Sequence, residues 1–207
     1  EFLRQAIISH DSQPRGVQLD LDEVFISDGA NSDCGNIGDI LDTKCSVGVT
    51  DPVYPVYVDS NVMSGRAGCL DEDKKWSNIT FFPVSAGNQF VPPLPQKHVD
   101  IIYLCYPNNP TGTVLDKDQL KEWVEYALRE QSLIIFDSAY EAYRQHDDIP
   151  HSIYEIDGAK QCAIELRSYA KTAWFTGVRC GYTVVPKDLR IPHPTNKNEN
   201  PILLKSL

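Results

Sequence analysis

The sequence predicts an α/β protein: a mostly parallel sheet of about seven strands with helices on both faces. Three observations carry that expectation. Apolar runs of strand length recur at 24–26, 45–49, 79–84, 101–106, 133–136, 162–166 and 182–185. Few of them alternate with polar residues, and near-continuous apolar runs suit strands buried on both faces. Helical segments lie between several runs, giving the strand–helix–strand order of an α/β sandwich.

Taken in order, the first run leads into Ser27, Asp28 and Gly29, and a helix opens at Gly29 and Ala30. The second leads into Asp51 and Pro52, and the third follows Asn78. The fourth ends at Pro107-Asn108-Asn109-Pro110, residues that favour turns. The clearest helix spans 116–131. Asp116 can cap it, and Gln119 three residues later completes a capping box. Leu120, Trp123, Val124, Ala127 and Leu128 then form one apolar stripe at helical spacing, read as facing the core. The fifth run ends at Asp137, the sixth near Ser168 and the seventh at Pro186. Residues 191–200 read IPHPTNKNEN, which is loop chemistry. The expected organisation is therefore one domain over 1–190 and a loop or tail over 191–207. Glu1 and Phe2 fall inside an apparent helix and no Met opens the chain, so residues are expected to precede them.

Composition narrows the function. The 29 acidic and 19 basic residues give a net charge of −10. That field repels polyanions, which argues against nucleic acid and anionic membrane as partners. The longest purely apolar run, 101–106, is too short to span a bilayer. Six cysteines show no CxxC and no zinc spacing, so no metal site is expected. They read as free thiols of a reducing cytoplasm, with Cys105 and Cys162 as small buried hydrophobes.

The chemistry gathers at the ends of the runs. Lys171 follows the sixth run, Asp137 ends the fifth, Tyr140 stands three residues on, Asn109 sits in the turn after the fourth, and Arg179 follows Lys171 by eight residues. Each alone has an ordinary reading: a solvated lysine, a capping aspartate, a turn asparagine, a surface ion-pair arginine. Together they suit pyridoxal 5′-phosphate. That cofactor needs an amine to bond its aldehyde carbon, and lysine supplies one. It needs a carboxylate beside its ring nitrogen, donors for its ring oxygen, and a forked cation for its phosphate.

Longer motifs sharpen this. SDGANSD (27–33), DPVYPVYVD (51–59), PNNPTG (107–112), DSAYEAY (137–143) and SYAKTAWFTGVRCGYTVVPK (168–187) resemble the class I, fold-type I pyridoxal phosphate aminotransferases, and within them the LL-diaminopimelate aminotransferases. The resemblance runs from about residue 2 to 189. It implies that Lys171 bonds the cofactor and shuttles protons, and that Asp137 pairs with the ring nitrogen. It implies further that Tyr140 and Asn109 donate to the ring oxygen and that Tyr54 stacks on the ring. Arg179, Ser168 and the backbone at Ala30 and Asn31 would cradle the phosphate. Tyr54, Asn109 and Asn31 would also meet substrate. The implied reaction moves an amino group from an amino acid, LL-2,6-diaminopimelate, to 2-oxoglutarate, in a cytoplasmic homodimer serving lysine biosynthesis.

Two matched positions depart from the family. Asn31 stands where it usually has lysine, and Ala170 where it has serine. Losing a bond to a charged group costs about 1.5–3 kcal/mol, enough to shift cofactor affinity or substrate choice. Family members are also much longer, with an N-terminal segment over the site and a small C-terminal domain that grips the substrate carboxylate. Neither has a match here, so the chain resembles the cofactor-binding large domain only. A β-lyase of the same fold would use the same Lys171, Asp137 and Arg179, and a truncated, non-catalytic relative would keep the fold without turnover.

Overall fold

The computed structural model describes residues 1–191 and 202–204. In chain order the regular elements are α1 (Phe2–Ile7), β1 (Val24–Ser27), α2 (Ala30–Asn36), β2 (Val47–Asp51), α3 (Val56–Met63), β3 (Ile79–Pro83) and β4 (Ile101–Cys105). Then come α4 (Lys117–Glu130), β5 (Leu133–Asp137), β6 (Ala163–Ser168), α5 (Tyr169–Thr172), β7 (Gly181–Val184), β8 (Arg190–Ile191) and β9 (Ile202–Leu203). Short 3-10 and π turns fill several connections.

The seven apolar runs form one seven-stranded sheet in the order β1-β7-β6-β5-β4-β2-β3. All neighbours are parallel except β7, which runs antiparallel to both β6 and β1. The centre is buried on both faces, and successive residues alternate between two cores. Ile102, Leu104, Ile134 and Phe136 pack with Ile7, Ile8 and the α4 residues Leu120, Trp123, Val124 and Ala127. Ile101, Tyr103, Cys105 and Ile135 pack on the other face with Ala30, Cys34 and Tyr57 of α2 and α3. Two covered faces explain why the runs lack polar alternation. Cys105 and Cys162 are buried, as their apolar settings imply.

Helix α4 begins where its cap residues place it. Asp116 accepts from the Gln119 amide at 2.8 Å, and the Gln119 side chain accepts from the Asp116 amide at 3.0 Å. Its stripe is one position off the expectation. Leu128 is 38% exposed, while Tyr126 is buried and donates its hydroxyl to the Lys97 carbonyl at 3.2 Å. A loop reaches over that end of the helix, and the Leu128 methyl closes against Gly158 rather than entering the core.

The second strand also starts later than the apolar run. Ser46 is diverted to Asp100, whose carboxylate accepts from both its amide and its hydroxyl at 2.7 Å. Of the loop or tail expected over 191–207, residues 192–201 and 205–207 lie outside the described residues. Ile191 and Ile202 are register partners in the antiparallel β8–β9 pair, and Leu204 is buried.

Candidate active site

The parallel strands end together at one edge of the sheet, and β7 begins there because it runs the other way. In such sheets the ligand crevice lies outside the carboxyl ends of the strands. Asp137 closes β5, with Cys105 and Leu166 as its register partners on β4 and β6. Ser168 closes β6 and faces Gly181, which in turn faces Ser27 of β1. The connections leaving this edge carry Asn109, Tyr140, Lys171 and Arg179.

Asp137 is 5% exposed. Its Oδ2 accepts from the Tyr57 hydroxyl at 2.5 Å and its Oδ1 from the Ala139 amide at 2.8 Å. Burial raises its pKa above the ordinary carboxylate range; the bonds from Tyr57 and Ala139 oppose that, and Asp33 adds to it. Among the described residues it pairs with no lysine, arginine or histidine. A buried carboxylate with two donors and no cation is a half-built ion pair, and a protonated ring nitrogen would complete it.

Around it the other residues fall into small groups. The Asn109 Nδ2 lies 3.5 Å from the Tyr140 hydroxyl, at the limit of a hydrogen bond. The Lys171 Nζ stands 5.5 Å from the centre of the Tyr140 ring. Burial raises the Tyr140 phenol above its usual range, which keeps its proton available for donation. On the other flank, the Tyr54 hydroxyl donates to the Asn31 Oδ1 at 3.2 Å. The Tyr54 ring meets Tyr57 edge-on at 5.6 Å between centroids.

The third group suits an anion. Gly29 precedes α2 with φ +125°, a conformation that favours glycine, and offers no side-chain cap to the first-turn amides. A β-carbon there would lie 2.8 Å from the Arg179 Nη2, so glycine lets the guanidinium lie against the Ala30 turn. Gly181 presses on the same turn: a β-carbon on it would sit 2.8 Å from the Gly29 Cα. The Ser168 Oγ, one strand away, accepts from the Ala170 amide at 3.3 Å and keeps its own proton for another acceptor. Arg179, the Ser168 hydroxyl and the amides of Ala30 and Asn31 make a donor set of the kind a phosphate takes.

Tyr57 is the residue that reading the sequence missed. It lies three positions after Tyr54 in DPVYPVYVD, at the start of a helix, and that spacing was its one signal. The other surface of note follows Lys171. Trp174 is 84% exposed and Phe175 60%, with Val178 beside them in sequence also exposed.

A family model for class I and II aminotransferases matches residues 1–203. The chain belongs to that family. Its members use pyridoxal 5′-phosphate, and the donor set at the sheet edge fits that group: an unpaired buried carboxylate, a lysine beside a phenol, and an arginine against a helix start. The chain is 66% identical over 190 residues to the LL-diaminopimelate aminotransferase of Bacteroides fragilis, covering 91% of this chain and 46% of that protein. It is 64% identical over 190 residues to the enzyme of the same name from Bacteroides thetaiotaomicron, with the same coverage. The solved L,L-diaminopimelate aminotransferase of Chlamydomonas reinhardtii superposes with a TM-score of 0.87 at 40% identity, over 99% of this chain and 48% of that one. The chain thus spans about half the length of the curated relatives it matches.

Proposed function

We propose that the protein bearing this chain is a pyridoxal-phosphate-dependent aminotransferase of lysine biosynthesis. It exchanges an amino group between LL-2,6-diaminopimelate and 2-oxoglutarate. The observation that carries the reading is Asp137, buried without a cation at the same sheet edge as Lys171, Tyr140 and Asn109. The similarity to LL-diaminopimelate aminotransferases supplies the substrate class.

When bound, pyridoxal phosphate supplies an electron sink for the pair left on the substrate carbon as its proton departs. Asp137 holds the ring nitrogen in its protonated form. The Tyr140 hydroxyl and Asn109 amide donate to the ring oxygen, and the Tyr54 ring covers one face. Arg179, Ser168 and the amides of Ala30 and Asn31 hold the phosphate. Lys171 would bond the cofactor at rest; once freed, its Nζ would carry the proton from the substrate α-carbon to the cofactor's C4′ carbon, acting as base and then as acid. Tyr54, Asn109 and Asn31 orient the substrate, with Asn31 offering an amide in place of a cation.

Residues 1–190 form the cofactor-binding large domain in this reading, and 191–207 a loop or tail leading from it. The protein acts as a cytoplasmic homodimer. Exposed Trp174, Phe175 and Val178 support an apolar contact with a second copy. No helix among the described residues is long and apolar enough to cross a membrane. The test is the full-length protein with pyridoxal phosphate, LL-diaminopimelate and 2-oxoglutarate. Glutamate should form only when both substrates are present. Breakdown of an amino acid with no keto acid present would point instead to a lyase and overturn the reading.

A further inference from the structure

Asp137 is gripped at both oxygens, and the two grips differ in kind. The Ala139 amide belongs to the turn that β5 runs into. The Tyr57 hydroxyl comes from 80 residues away in sequence, on α3. That distant grip is itself built. Tyr57 is fully buried, and its ring stacks on Tyr103 of β4 at 5.0 Å and 16°. The Asn61 Nδ2 donates to the Tyr57 carbonyl at 2.7 Å and to the Tyr103 hydroxyl at 3.3 Å, tying the two rings to one side chain. The Asn61 Oδ1 accepts from the Arg66 Nη1 at 2.7 Å.

Arg66 anchors the assembly. It is 2% exposed, and its other bonds go to the Ser64 hydroxyl and the carbonyls of Gly38, Leu41 and Asp42. None of these acceptors is a carboxylate. The chain of contacts therefore runs from a buried cation bonded to neutral acceptors, through Asn61 and two stacked tyrosines, to a buried carboxyl that pairs with no cation among the described residues. Burial makes a charge at either end costly unless hydrogen bonds meet it.

We infer that Tyr57 is the positioning residue of the site: through its hydroxyl, and held by the Tyr103–Asn61–Arg66 clamp, it keeps the Asp137 carboxylate ionised and fixed in one orientation. The inference rests on the reading of Asp137 as the partner of the cofactor's ring nitrogen. Tyr57 is suited to the task for two reasons. A phenol donates one hydrogen bond to a carboxylate, and at 2.5 Å that bond lies in the short, charge-assisted range. Burial, then the neighbouring Asp137 charge, pushes the Tyr57 phenol well above its usual range, so it donates at every working pH and never competes as an anion. Among the described residues, the other titratable groups facing Asp137 are Asp33 and Cys34 on the α2 side, Cys105 on β4, and Tyr54 and Tyr140. None of them is cationic, so among those residues the ionised form depends on Tyr57 and the Ala139 amide.

The experiment compares Tyr57→Phe with Tyr103→Phe in the full-length protein. Both keep a phenyl ring in the stack; only the first removes a bond to Asp137. Without cofactor, isotope-edited infrared spectra of aspartate-labelled protein, assigned by subtracting Asp137→Asn, read the protonated and ionised forms of this one carboxyl. In Tyr57→Phe the ratio of protonated to ionised Asp137 should rise about ten- to a hundredfold at a given pH, the worth of one hydrogen bond to a charged group. In Tyr103→Phe, which keeps the ring stack and the Asn61 bond to the Tyr57 carbonyl, it should rise far less. Retention of pyridoxal phosphate should weaken in Tyr57→Phe, and more so as pH falls. An unmoved carboxyl in Tyr57→Phe, or equal movement in both variants, overturns the inference. A carboxyl that moves while cofactor retention does not would uphold Tyr57 as the support of Asp137. It would overturn instead the pairing of Asp137 with the cofactor.

Discussion

Gly181→Ala adds one methyl group at the point where the sheet edge and the anion-suited turn are pressed together. The new β-carbon would lie 2.6 Å from the Arg167 carbonyl oxygen, 2.8 Å from the Gly29 Cα and 3.2 Å from the Ala30 nitrogen. All three are backbone atoms, so no side chain can swing aside. Either β6 must part from β7, or the Gly29–Ala30 turn must lift off both. Inserting a methyl into a packed region costs about 1–3 kcal/mol, and rigid surroundings put this site at the upper end. At about 2–4 °C per kcal/mol for a domain of this size, the melting temperature should fall by about 6–12 °C. Circular dichroism on heating reads that directly. The displaced turn carries the amides of Ala30 and Asn31 and the seat of Arg179, so affinity for pyridoxal phosphate should fall as well. A variant that melts within about 2 °C of the parent would show that this junction yields at little cost, and the account of why glycine stands there would be wrong.

The same substitution has the opposite sign on α2. Gly35→Ala meets nothing within 4 Å and lies in a helix, so it should stabilise the protein by about 0.5–1 kcal/mol; a lower melting temperature would contradict this. Lys171→Ala should abolish fixation of pyridoxal phosphate to the chain by borohydride, read by mass spectrometry, because the motif's other lysine, Lys187, follows the far end of β7 and is bonded to Asp20. Fixation at an unchanged yield on the same peptide would remove Lys171 from its role. Burial alone would raise the Asp100 pKa, but its bonds from Ser46 and His98 outweigh that and lower it below 3.8. Its stabilising contribution is therefore complete above pH 3.8 and is lost as pH falls through the lowered value. Asp100→Ala should cost about 1 kcal/mol near neutrality, a low figure because the side chain is a third exposed, and the gap should close in acid. A gap that persists unchanged below that range would refute the assignment.

Much of this protein follows from its sequence alone. Apolar runs without polar alternation mark strands covered on both faces, because each residue in turn must meet one of two cores. All seven runs join the sheet, with shifts of a residue or two at their ends. Asp116 and Gln119 fix the start of α4, since a capping box is satisfied within four residues and needs no distant partner. The polar residues that end the runs reach one edge because parallel strands end together. Local patterning could not decide what depends on which distant segments meet. The stripe on α4 puts Leu128 inward, but in the fold it is partly exposed and lies against Gly158 of a distant loop. Nothing near Tyr57 in sequence shows that its hydroxyl reaches Asp137, 80 residues on, or that Arg66 is buried among carbonyls. Arg167 on β6 likewise meets Asp11, 156 residues earlier, in a contact that exists only once α1 and the turns after it lie across the sheet. Hydrophobic periodicity is a property of neighbours along the chain, and it sets which face is buried. The partner of a buried polar group is chosen by topology and register, and that choice exists only in the folded molecule.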